Sequence, residues 1–178
     1  MPALLIVFAG PPCAGKSTTA ATLAVRLDIP HLAMDTTRQR IMPHSPHTRA
    51  DRAVAYRAMH FAAELLLGHG VSTILDAPYG HPEDRTEVAR IAAHTGAAAY
   101  LVECAVSPAT AVARLAQRGP DPIRIDLTPA RVEEMVRNFR YSGAGLLLDS
   151  ERLDPAACAA RVAEWIAAGR PSGLDGWV

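Results

Sequence analysis

The chain has 178 residues, 49% of them hydrophobic, and a formal net charge of zero. That balance suits one domain with a sizeable core, argues against a disordered chain, and gives no electrostatic case for general binding to nucleic acid or a membrane. Three cysteines, Cys13, Cys104 and Cys158, are odd in number and lack metal-ligand spacing, so no disulfide framework is expected.

In chain order, strand and helix signals alternate. The apolar opening carries no basic leader and is too short to span a bilayer; residues 3–9, ALLIVFA, read as a buried strand and the protein as soluble and cytoplasmic. A helix is expected over 16–27, ending near Asp28 and Pro30, then a short strand at 31–34. Residues 49–68 place Val54, Ala58, Met59, Ala62, Leu65 and Leu66 at helical spacing, with Gly68 as a stop, and the next strand covers 71–75. Later helices open at Pro82, at Pro108 behind Ser107, and at Pro155 behind Asp154; they stop near Gly96, Gly119 and Gly169. Strands are expected at 97–104 and 145–149, with a helix from Thr128 and Pro129 to about Tyr141. This repeated β-α order predicts an α/β domain over 1–178. Its five strands are mostly parallel, with helices on both faces and a ligand crevice at the strands' carboxyl ends. The tail 169–178 is expected to be poorly ordered unless Trp177 docks.

Residues 10–17, GPPCAGKS, match G-x-x-x-x-G-K-[ST] between an apolar strand and a helix. Gly10 and Gly15 permit backbone shapes that surround phosphate oxygens with N–H groups. The candidate nucleotide-binding set is Gly10, Pro11, Pro12, Cys13, Ala14, Gly15, Lys16, Ser17 and Thr18. Lys16, the one lysine beside seventeen arginines, is expected to reach the β- and γ-phosphates, and the Ser17 hydroxyl to bind Mg²⁺. Cys13 reads as a small filler residue.

Asp35 and Arg38 fall at the next strand's carboxyl end. A carboxylate there can take the proton of an attacking hydroxyl, and an arginine can hold the substrate; a helix cap beside a surface arginine explains the same pattern. Asp76 ends the third strand, where a Walker-B-like carboxylate supports Mg²⁺ through water, or where a turn residue would stand. Arg114 and Arg118 share a helix face ahead of a loop with Arg124, which suggests a lid over about 114–130 that covers phosphates; a solvated helix face is the alternative.

The run GPPCAGKST, MDTTRQRIM, LDAP with PEDR, RLAQRG and IDLTPARVEEMVRNFRY resembles the small P-loop kinases over about residues 3–141. It is similar above all to the 5′-hydroxyl polynucleotide kinase module, and more broadly to chloramphenicol phosphotransferase-like and zeta-toxin-like enzymes. The resemblance implies a three-layer P-loop kinase fold with a helical lid. It also implies ATP and Mg²⁺ on Lys16 and Ser17, Asp35 as general base, Arg38 on an acceptor phosphate, and Arg114 and Arg118 at the transferring phosphate. GTP can replace ATP in such a site.

Three functions compete at this point. They are a kinase for a small hydroxyl compound such as a sugar, nucleoside or antibiotic, a polynucleotide 5′-kinase, and a nucleotide-dependent regulatory ATPase. The neutral charge and the lack of a basic, aromatic stripe favour the first. Its acceptor pocket is expected between residues 36–60 and the lid, with Arg38, Arg40, Arg49, Arg52, Tyr56 and Tyr79 as candidate liners. His44 and His47 lie close enough to suggest zinc, but surface or capping roles fit a chain with seven scattered histidines better.

Overall fold

A computed structural model describes residues 2–118 and 126–178. The first apolar run forms β1 (Leu4–Ala9), and its side chains alternate between two cores. Ile6 and Phe8 pack with Ala20, Leu23, Val102 and Val162. Leu5 and Val7 pack with Tyr56, Met59, Leu75 and Leu101 on the other face. Around β1 stand β2 (His31–Ala33), β3 (Thr73–Asp76), β4 (Ala98–Ala105) and β5 (Leu146–Asp149). The sheet order is β2-β3-β1-β4-β5, and every pairing is parallel. β1 thus lies between strands reached from opposite directions, which opens a crevice at its carboxyl end.

The helices are α1 (Lys16–Leu27), α2 (Met34–Ile41), α3 (Arg49–Gly68), α4 (Pro82–Thr95), α5 (Pro108–Arg118), α6 (Pro129–Asn138) and α7 (Pro155–Ala167). α1 and α7 pack together over the first core, while α3 and α4 cover the second. α5 packs on α6. Local chemistry sets the starts. Thr48 and Asp51 form a reciprocal capping box at α3, and the Asp154 carboxylate accepts the Ala157 N–H at 2.7 Å. Asp28 ends α1 in the left-handed region at φ 53°. No helix among the described residues is long and apolar enough to cross a membrane.

Three differences from the sequence expectation have physical causes. β2 passes straight into α2, so Asp35 lies in that helix's first turn. α6 stops at Asn138 rather than near Tyr141. The following turn brings the Ser142 and Gly143 N–H groups to the Glu103 side-chain oxygens at 2.9 and 3.0 Å, which satisfies a fully buried polar group near the end of β4. The tail is docked: the Ser172 N–H donates to Ala99 O at 2.7 Å, and the Leu101 N–H donates to Ser172 Oγ at 3.0 Å. Leu174 and Trp177 then enter the second core. Arg124 and most of the expected lid loop lie outside the described residues.

Candidate active site

The crevice begins with the loop that leaves β1. Gly10 has φ 145°, and a Cβ there would stand 2.6 Å from the Cys104 carbonyl oxygen, so only glycine fits. Cys13 and Gly15 both adopt left-handed backbone, at φ 60° and 77°. Such alternation turns successive N–H groups toward one concave centre at the start of α1, the arrangement that cradles phosphate. Lys16 is largely buried, and its ammonium donates to Pro11 O at 2.8 Å.

Two grooves flank the loop. The larger, about 580 Å³, is lined by Cys13, Gly15, Thr18, Thr19, Arg114, Gln117, Arg118, Ser150 and the 151–155 segment, with Cys158. The smaller, about 290 Å³, brings together Pro12, Cys13, Ala14, Gly15, Lys16, Ser17, Asp35, Asp76 and Arg118. These residues come from the loop, β2–α2, β3 and α5, so sites far apart in sequence meet in one place. Arg118 lines both grooves.

Arg114 does not join Asp35 in the smaller groove. Its guanidinium donates to Cys13 O at 3.1 Å, Ser150 Oγ at 2.9 Å and Ser150 O at 2.6 Å. It ties the phosphate loop to the end of β5, whereas Arg118 lines the smaller groove.

The expected acceptor liners go elsewhere. Arg38 is 2% exposed and lies within α2; the Asp51 carboxyl is lowered mainly by hydrogen bonds from Ser45 and Thr48, with Arg38 a minor contributor. Arg52 donates to His47 O at 2.9 Å, and Arg49 pairs with Glu83 at 2.7 Å on the surface. Tyr79 is fully buried, and its N–H donates to Tyr56 Oη at 3.0 Å. Tyr56 opens on a separate groove with His60 and Phe61. Burial pushes both tyrosine hydroxyls above their ordinary range. Arg40 is exposed and lines neither groove beside the loop.

Other residues take the places the sequence reading assigned to these. His31, Thr36, Leu127 and Met135 line the smaller groove. His31 Nε2 lies 3.4 Å from Asp76 Oδ2, a close approach without hydrogen-bond alignment. Its place follows from the β2–β3 register, Ala33 opposite Asp76, which puts residue 31 on the same face two residues back. Ser150 was also missed; it lines the larger groove and accepts a hydrogen bond from Arg114.

The family model AAA_33, described as an AAA domain, matches residues 5–141. The chain belongs to that family. The Mycobacterium tuberculosis protein named Uncharacterized protein Rv2004c is 30% identical over 115 residues, covering 58% of this chain and 23% of its own length. The chain therefore spans about a quarter of the curated relatives it matches. The fold is that of the small P-loop kinases. The M. tuberculosis APS kinase CysC, solved with AMPPNP and APS, superposes with a TM-score of 0.71 at 19% identity, over 94% of this chain and 99% of that one. Shikimate kinase from Acinetobacter baumannii, solved with shikimate, gives 0.67 at 16% identity, over 94% and 95%.

Proposed function

We propose that the protein transfers the γ-phosphate of Mg·ATP to a hydroxyl of a small molecule. The observation that carries this reading is the meeting of Lys16, Ser17, Asp35, Asp76 and Arg118 in one groove. The two superposed kinases, which bind APS and shikimate, add support for a small acceptor. The larger groove suits the nucleoside, and the loop N–H groups with Lys16 suit the β- and γ-phosphates. The same site can take GTP.

Ser17 and Asp76 both line the smaller groove, and this pair of hard oxygen donors fits Mg²⁺, which they would hold there. When bound, the ion neutralises charge on the phosphates. Asp35 takes the proton as the acceptor oxygen forms its bond to the γ-phosphorus. The bond from that phosphorus to the bridging oxygen breaks, and ADP leaves with the electron pair. Arg118 screens the charge on the transferring group, while Arg114 fixes the loop.

A polynucleotide 5′-kinase draws less support, because Arg38, the residue that resemblance set on an acceptor phosphate, is buried and does not line the groove. Asp35→Asn tests the reading. It should keep Mg·ATP binding and lose transfer by about a hundredfold or more. Undiminished transfer would remove Asp35 from the mechanism.

A further inference from the structure

We propose that segment 171–178 is a strap that sets the position of Asp76 and of the first residue of the phosphate loop, with Trp177 and Arg85 as its positioning residues. The role rests on the kinase reading above and concerns how the site is held, not what it transfers. Neither residue lines either groove beside the loop, so each acts through the run 77–79 that follows β3.

That run is joined to the loop by main chain. Phe8 stands opposite Asp76 in the β1–β3 register. Past the strand the pairing continues. The Ala77 N–H donates to Phe8 O at 3.2 Å, and the Gly10 N–H donates to Pro78 O at 3.3 Å. Ala77 and Pro78 line the smaller groove with Asp76. Gly10 also lies close against the Cys104 carbonyl, so both neighbours of β1 fix where the loop begins.

Tyr79 ends the run. It is fully buried and sits in left-handed backbone at φ 52°. An aromatic residue adopts that shape at a cost, and keeps it only where its surroundings hold it. Here Tyr56 Oη accepts its N–H at 3.0 Å, and Arg85 Nε donates to its carbonyl at 2.7 Å. Its ring stacks on His60 at 6.0 Å and meets the Trp177 indole edge-to-face at 5.2 Å. Arg85 is itself held by the strap, since Nη1 donates to Trp177 O at 3.2 Å and the guanidinium lies 5.7 Å from the indole centroid. Further back, Ser172 anchors the strap to β4 through Ala99 O and the Leu101 N–H.

Withdrawing the indole removes the packing on one side of Tyr79 and loosens the fork that fixes its carbonyl. Tyr79 then relaxes toward ordinary backbone, Pro78 O turns from Gly10, and Asp76 and the loop N–H groups lose their set positions. Binding Mg·ATP must order them again, which weakens affinity. By linkage, bound nucleotide must hold the strap in place to the same extent.

The test uses the full chain and Mg·AMPPNP. Calorimetric affinity is measured for the native protein, Trp177→Ala, Trp177→Phe, Arg85→Met and Leu67→Ala, each below its unfolding transition. Leu67 is a buried member of the same core in the last turn of α3, which leads to the opposite end of β3, so its loss supplies a matched destabilisation. We expect Trp177→Ala and Arg85→Met to bind about tenfold more weakly, within the usual span of coupling between sites, and Trp177→Phe and Leu67→Ala to stay within about threefold of native. In the native protein, Mg·AMPPNP should slow hydrogen exchange at the Ser172 and Trp177 N–H groups more than in the last turn of α3. Should Trp177→Ala fail to fold, Arg85→Met and the exchange measurement decide. Native affinity in Trp177→Ala and Arg85→Met, an equal loss in Leu67→Ala, or equal slowing at the two places overturns the strap and leaves the kinase reading standing. Failure of the native protein to bind Mg·AMPPNP removes the kinase reading, and the strap with it.

Discussion

The Trp177 indole meets the Tyr79 ring edge-to-face, with centroids 5.2 Å apart and planes at 62°, and so joins the end of the chain to the segment that follows β3. Arg85 reinforces the junction. Its Nε donates to Tyr79 O at 2.7 Å, its Nη1 donates to Trp177 O at 3.2 Å, and its guanidinium lies 5.7 Å from the indole centroid. Trp177→Ala should destabilise the protein by about 3–5 kcal/mol, the usual range for deleting a buried aromatic. Trp177→Phe should recover most of that, because the indole N–H has no hydrogen-bond partner to lose. Urea unfolding of both variants checks the prediction; equal loss in both would contradict it.

Arg114 is expected to act on stability as well as on nucleotide binding. Removing its side chain leaves Cys13 O and Ser150 O without their guanidinium donor, at about 1–3 kcal/mol. Arg114→Lys should not rescue the loss, since one ammonium cannot reproduce the fork. Denaturation without nucleotide gives the answer. A variant as stable as the native protein but slow in transfer would return Arg114 to the transferring phosphate.

Lys16 should not tolerate arginine. The loop has shaped itself around a compact ammonium that donates to Pro11 O at 2.8 Å, and a planar guanidinium is too broad for that space. Lys16→Arg should weaken nucleotide binding by about ten- to a hundredfold, the value of one charge-assisted hydrogen bond. Calorimetric titration with Mg·ATP measures it.

His60 supplies a pH dependence. It is 4% exposed, its Nε2 lies 3.2 Å from Tyr79 Oη, and burial lowers its pKa from 6.5 to about 4. The folded state therefore holds the proton less well than the unfolded state. This contribution to stability is complete above the unfolded value and declines as pH falls from about 6.5 toward 4, by up to about 3 kcal/mol. His60→Phe should flatten the decline across that window. An unchanged slope of unfolding free energy against pH would assign it to other groups.

The phosphate loop and the order of elements were legible because their signals are local. Gly, Pro and capping residues punctuate the chain, and the apolar period changes between strand and helix. The roles of Arg38, Arg52, Tyr56 and Tyr79 were not legible, because each depends on a contact made by tertiary packing. Tyr79, for example, reads as an acceptor-pocket liner until Trp177, nearly a hundred positions later, covers it. Leu127, just ahead of α6, and Met135, within it, look like ordinary half-buried packing residues, and only their shared groove with Asp35 distinguishes them. Glu103 shows the converse. A charged residue inside an apolar strand run looks like an interruption, yet it organises the turn that feeds β5.

Arg118 reaches both grooves beside the loop. A cation shared between two compartments ties their occupancies together: whatever factor an acceptor imposes on nucleotide affinity, the nucleotide imposes on the acceptor's. On the proposed reading, with nucleotide in the larger groove and acceptor in the smaller, Arg118 would couple the two, and the sign of that coupling can be read from either ligand.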